Sequence, residues 1–98
     1  MITELMKTTT DPANRTAFEA ALKSYFARMH EPPGFKLVSI SQEVESAAHH
    51  YVQIEWKDMD AHLAMKGSPA AADWSASIVP FFTAPTVVVH LRKIGPGD

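Results

Sequence analysis

The chain has 98 residues, a net charge of −2 and no cysteine, which points to one domain with a modest core and excludes a disulfide framework, a thiolate metal site and a cysteine nucleophile. Acidic and basic residues are interspersed without a basic stripe, so no nucleic-acid partner is expected. No apolar run reaches the roughly 18 residues that suggest a membrane span, and the N-terminal MITELMKTTTD lacks a basic stretch followed by an apolar one, so a cytoplasmic protein is expected.

Residues 2–8 alternate, with Ile2, Glu4 and Met6 on one side and Thr3, Leu5 and Lys7 on the other, which predicts a strand. Asp11-Pro12 is a helix start, a carboxylate N-cap followed by proline where no N–H is needed. From Ala13 the positions Ala17, Phe18, Ala21, Leu22, Tyr25, Phe26 and Met29 recur at three and four residues and form one helix face. Their plain reading is core, with the Tyr25 hydroxyl the one group able to serve a cavity. Glu19 and Lys23 stand one turn apart and are placed to pair.

Pro32-Pro33-Gly34 stops the helix. Phe35 to Val44 reads as a second strand, with Phe35, Leu37 and Ser39 on one face and Lys36, Val38 and Ile40 on the other. After a loop over Glu45 to Ala48, His49 to Trp56 reads as a third strand, with His50, Val52, Ile54 and Trp56 sharing a face. Asp58 opens a short helix to Lys66, with Gly67 as its stop. Ser68-Pro69 opens another that carries Ala71, Trp74, Ser75 and Ile78 on one face and ends near Pro80. Thr86 to Leu91 is β-branched and forms a fourth strand. The domain is expected over residues 1–94, with 95–98 as a flexible tail.

The order strand, helix, strand, strand, helix in two pieces, strand is the ferredoxin-like βαββαβ arrangement, an α+β fold with a four-stranded antiparallel sheet and helices on one face. The other sheet face is left bare with apolar residues on it. Pairing with a second copy is the simplest way to cover it, so a homodimer is expected.

Several short motifs then converge. Pro33-Gly34-Phe35 opens the second strand, Glu55-Trp56 closes the third, Lys57 to His62 reads KDMDAH, and Ser68-Pro69 opens the next helix. Together they resemble the antibiotic biosynthesis monooxygenase domain, and the likeness in element order spans nearly the whole chain. The resemblance implies a dimeric α/β barrel with a pocket in each subunit between sheet and helices. It also implies activities ranging from cofactor-free oxygenation of polyketide anthrones to quinol oxidation, autoinducer processing and haem degradation. By the same resemblance Trp56 and His62 stand at cavity positions. The haem-degrading branch has an asparagine in the first strand, and none occurs from Ile2 to Lys7. His62 stands where that branch has a tryptophan, and Trp74 near its histidine, so the haem constellation is not reproduced. The run between His62 and Ser68 is also longer than the family's usual one.

His62 is the candidate catalytic residue, since an imidazole titrates near neutrality and can take a proton from an acidic carbon or a phenol. Trp56, Trp74, Phe35, Phe82 and Phe81 are the candidate walls for a flat aromatic ligand, with Met65 as an adaptable filler and Tyr25 as a further binding residue. Asp58, four residues before His62, is placed to orient the imidazole. His49 and His50 point to opposite faces and cannot share a metal, and His30 and His90 have no evident partner, so no metal and no cofactor are expected. No glycine-rich phosphate loop or G-x-S-x-G nucleophile motif is present. The sequence thus points to a cofactor-independent monooxygenase acting on a small apolar aromatic substrate. The alternatives are a dimer that captures such a ligand without turning it over, and a haem-binding or haem-degrading relative.

Overall fold

The structure is a computed structural model that describes residues 1–96. Residues 97 and 98 of the expected tail lie outside the described residues. The strands are β1 (Ile2–Thr9), β2 (Phe35–Gln42), β3 (His49–Trp56) and β4 (Val87–Leu91), and the helices are α1 (Arg15–Arg28), α2 (Met59–Leu63) and α3 (Pro69–Ser77). They form one antiparallel sheet in the order β2-β3-β1-β4. This is the ferredoxin-like α+β fold expected from the element order. Among the described residues no helix is long and apolar enough to cross a membrane.

Helix starts follow the expected chemistry. Asp11 accepts a hydrogen bond from Ala13 N at 2.9 Å and begins a short 3₁₀ turn over Pro12–Asn14 that runs into α1. Asp58 caps α2 through Ala61 N at 2.8 Å, and Ser68 caps α3 through Ala71 N at 3.1 Å, with Pro69 in the first turn. Gly34 sits at φ +80°, and a Cβ there would lie 2.9 Å from the Lys57 Cβ, so the turn into β2 requires glycine on both counts.

The core forms where α1 lies on the sheet. Phe18, Leu22 and Tyr25 from the helix meet Val52, Ile54 and Trp56 from β3, and Ile78 closes the far side. All of β3 follows the expected alternation, with His50, Val52, Ile54 and Trp56 buried. Two expectations are corrected. The first is the phase of β2. Leu37 pairs with Ile54 and Ser39 with Gln53, which leaves Val38 as an extra residue in a bulge. The bulge returns Ile40 to the core side with Phe35 and Leu37, while Val38 stays exposed. β2 also stops at Gln42 rather than Val44, and Val44 projects into solvent.

The second correction concerns Glu19. Its carboxylate lies against His50 Nε2 at 2.8 Å, not on Lys23. A nearly inaccessible imidazole at the end of β3 has a stronger claim on a neighbouring carboxylate than an exposed lysine whose ammonium water already solvates. The hydrogen bond from His50, and then the charges of His50, Arg15 and Lys23, hold the Glu19 carboxyl below its ordinary value, against the opposing effect of burial.

A depressed carboxyl favours the folded state above its ordinary pKa, near 4.5, and that contribution disappears as pH falls through the lower folded-state value. Urea unfolding of Glu19→Gln should therefore show a shallower loss of stability than wild type on acidification below pH 4.5. Parallel acid limbs in the two proteins would contradict the pairing.

Candidate functional site

The alternation of β1 puts Glu4 on the same side as Ile2 and Met6, facing the core. It is 5% exposed. A carboxylate so placed requires a donor, and Trp56 supplies it, because Ile2 pairs with Trp56 and Glu4 with Ile54. The Trp56 indole N–H donates to Glu4 Oε1 at 2.9 Å. His62, on α2, lies flat on the Trp56 ring, with centroids 5.0 Å apart and planes 9° from parallel. Its Nε2 is 3.5 Å from the same Glu4 oxygen, and its Nδ1 is 2.9 Å from Nε2 of His90 on β4. Glu4, His62 and His90 therefore form a chain from the buried interior to an exposed edge strand.

Glu4 and His62 border a cavity of about 220 Å³ between the sheet and α1 and α3. Of the residues expected from the sequence, the structure brings Trp56, His62, Trp74, Met65, Phe35 and Tyr25 together around it. Phe26, Met29, Ile54, Ala71 and Ser75 complete the lining together with Glu4. Phe82 and Phe81 stand away from it. Phe81 and Phe82 pack against Phe18 at 5.4 and 6.1 Å between centroids, and Phe82 also touches Trp74 at 6.3 Å.

The aromatic walls are mutually braced. Phe35 meets the edge of Trp56 at 5.2 Å, and Tyr25 lies edge-on to both Phe26 and Trp74, at 5.0 and 5.1 Å. The Tyr25 hydroxyl donates to the Ala70 carbonyl at 2.8 Å, and burial followed by the nearby Asp73 charge pushes the phenol above its ordinary value. Arg28 closes the outside of the helix pair with a two-pronged bridge to Asp73, both contacts 2.8 Å, and this guanidinium holds the Asp73 carboxyl below its ordinary value.

Two sequence expectations about His62 are corrected here. Asp58 does not orient the imidazole, because its carboxylate is committed to capping α2. His90 does have a partner, and the partner is His62. Glu4 was missed as a site residue, although one signal was present, a carboxylate on the side of β1 that carries Ile2 and Met6. Among the described residues no group of three or more His, Cys, Asp or Glu is arranged to hold a metal ion.

The sequence profile of the family described as antibiotic biosynthesis monooxygenase matches residues 1–77. The chain belongs to that family. Solved structures agree on the fold. A Bordetella bronchiseptica protein provisionally named as an antibiotic biosynthesis monooxygenase is 20% identical and superposes with a TM-score of 0.85 over 95% of this chain and 96% of its own. Proteins with the same provisional name from Caulobacter crescentus (18% identity, TM-score 0.82, 96% and 90% covered) and Nitrosomonas europaea (15%, 0.81, 97% and 100%) are similar in the same way. No protein with a curated description matches the chain.

Replacing Glu4 separates its two duties as acceptor and as charge. Glu4→Leu strands the buried Trp56 N–H and should cost about 1–3 kcal/mol in urea unfolding, whereas Glu4→Gln keeps an acceptor and should cost clearly less. Equal losses would show that the indole bond contributes little.

Proposed function

We propose that this member of the antibiotic biosynthesis monooxygenase family is a cofactor-independent monooxygenase of a flat, electron-rich aromatic substrate of the polyketide anthrone or quinol kind. The observation that carries the reading is the placing of His62 against a buried carboxylate at the end of a cavity walled by aromatic rings. In such chemistry the substrate supplies the electrons, and the protein removes a proton, protects the resulting anion from water and leaves room for dioxygen.

His62 is the base. With the shared proton on His62 Nδ1 and donated to His90, Nε2 keeps its lone pair, and its 3.5 Å separation from Glu4 is longer than a hydrogen bond. The substrate proton goes to Nε2 while the bonding pair remains on the substrate. The imidazolium then forms beside the Glu4 carboxylate, which offsets its charge, and Trp56 holds the ring in plane. The substrate anion gives an electron to dioxygen, and the radical pair joins as a carbon–oxygen bond. Once the peroxide anion has formed, Nε2 returns the substrate proton to it, which restores the neutral base with its lone pair on Nε2 while the Nδ1 proton stays donated to His90. Loss of water then turns a methylene into a carbonyl, so one oxygen atom stays in the product and the other leaves as water.

The reading includes a homodimer. The registers Leu5↔Val89, Thr3↔Leu91 and Lys7↔Val87 set these residues on the face away from the helices. Val87, Val89 and Leu91 there are 57%, 43% and 47% exposed, and Val38 adds to the same face. Such a patch is well suited to pair with a second copy of itself.

Oxygen uptake should be followed with a dithranol-type anthrone and a substituted hydroquinone. Wild type should turn over at least one of them, and His62→Ala should lower kcat by about 10²–10⁴ with folding intact. His90→Ala should slow turnover less and recover in imidazole buffer. Uptake that is indifferent to His62 removes it as the base. A folded protein that binds these compounds without uptake is a capture protein instead.

Sedimentation should give twice the 10.8 kDa chain mass. Val89→Lys should shift the equilibrium toward monomer, and a wild-type monomer at micromolar concentration would refute the pairing.

A further inference from the structure

The cavity beside Glu4 and His62 does not end at its apolar wall. Tyr25, Met29 and Met65 also border a second cavity, of about 330 Å³, on the outer side of the same wall. This outer space lies between the end of α1, Pro32 and the start of α3.

The three shared residues differ in how firmly they are held. Tyr25 is fixed by its hydrogen bond to the Ala70 carbonyl and its edge contact with Trp74. Met29 follows the last residue of α1 and has already left helical geometry, with φ −63° and ψ 132°. Met65 lies in the turn between α2 and α3, shortly before Gly67 at φ +78°, and its sulfur has only a weak 3.9 Å contact with the Ser68 hydroxyl. Both are unbranched side chains with three rotatable bonds, able to change rotamer at small cost. The wall between the cavities is therefore one fixed ring and two yielding thioethers.

Size and polarity indicate what would cross it. At about 220 Å³ the inner cavity is below the roughly 300–1,000 Å³ range of drug-sized ligand pockets, so it suits one or two rings. The lining of the outer cavity includes the His30 ring, and its two charged side chains are already joined to each other. The Arg28 guanidinium there is already committed to Asp73, Ser24 and Ser77, and the Ser68 hydroxyl caps α3.

We propose that the two cavities are one elongated binding site with Met29 and Met65 as its yielding partition. Its ligand is a phenolic ring carrying a flexible, apolar side arm. The ring lies beside Glu4 and His62, and the arm passes between the methionines into the outer cavity. This deepens the functional reading above in placing the ring at the proposed base, but it concerns binding and does not require turnover.

Calorimetric titration with 4-methylphenol and 4-hexylphenol tests it. Burial of the added methylenes should make the hexyl compound bind at least about tenfold tighter to wild type. In Met65→Trp, where an indole fills the partition, the hexyl-to-methyl affinity ratio should fall to near one. In Met65→Ala, which widens the passage, the ratio for the bulkier 4-cyclohexylphenol over 4-methylphenol should exceed that of wild type. Equal affinities for the two chain lengths in wild type, an unchanged ratio in both variants, or no binding of either phenol would overturn the proposal. Oxygen uptake by the same protein with the dithranol-type anthrone and the substituted hydroquinone separates the two ideas. Chain-dependent binding without uptake retains the elongated site and rejects the oxygenase, whereas uptake with no dependence on chain length does the reverse.

Discussion

The hydrogen bond between the Trp56 indole and the Glu4 carboxylate is the constraint on which the rest of the site depends. Removing a carboxylate from water costs several kcal/mol unless donors replace the lost hydration. Here the donor comes from the last residue of β3, reached diagonally across the β1–β3 ladder. A slip of one residue in that ladder would turn Glu4 outward and face Trp56 with a different partner. The bond thus ties the site to the register of the two central strands. Once the indole is fixed, its face becomes a platform for His62 and its edge a stop for Phe35.

The same face of β3 carries a second polar group at its other end, and the contrast clarifies what the first one is for. His50 is as buried as Trp56 and also meets a carboxylate, that of Glu19, but it packs against the edge of Phe18 and away from the aromatic cavity. Its other nitrogen, Nδ1, has no hydrogen-bond partner among the described residues. Between the two ends lie only Val52 and Ile54. The polar pair at the His50 end ties α1 to the sheet beside a cavity of about 300 Å³ lined mostly by polar side chains, whereas the Glu4–His62 pair borders the aromatic cavity. The aromatic cavity meets the Glu4–His62 pair at one end alone.

How much of this was legible in the sequence depends on the range of the interaction. Local patterns carried the fold. The alternation of β3 was correct at both ends, and the three helix starts at Asp11, Asp58 and Ser68 were each visible as a capping side chain before or near a helical run. The Val38 bulge was not visible, because nothing in FKLVSIS marks which residue the ladder will skip, and the phase of Ile40 was inverted as a result. Six of the eight residues named for the site line one cavity, since a strand end, a helix face and a turn were enough to bring them close. The polar chain was not legible. Glu4 and Trp56 are 52 residues apart, and His62 and His90 are 28 apart. Competition also misled the reading, because Asp58 is held by the cap of its own helix three residues on and Glu19 by His50 31 residues away.

His90 shows where family membership stops informing the chemistry. The stretch that matches the family ends at residue 77, and β4 begins at Val87. Glu4, Trp56 and His62 all lie within the matched stretch, but the histidine that extends their chain to solvent does not. Its relevance rests on geometry alone. β4 pairs with β1 so that His90 falls opposite Glu4, and this places both side chains on the side of the sheet where α2 presents His62. An edge strand covered by no helix leaves that histidine open to water while its neighbour stays half-buried. His90 thus touches His62 on one side and water on the other, and it joins the partly buried imidazole to the surface without any residue of the matched stretch.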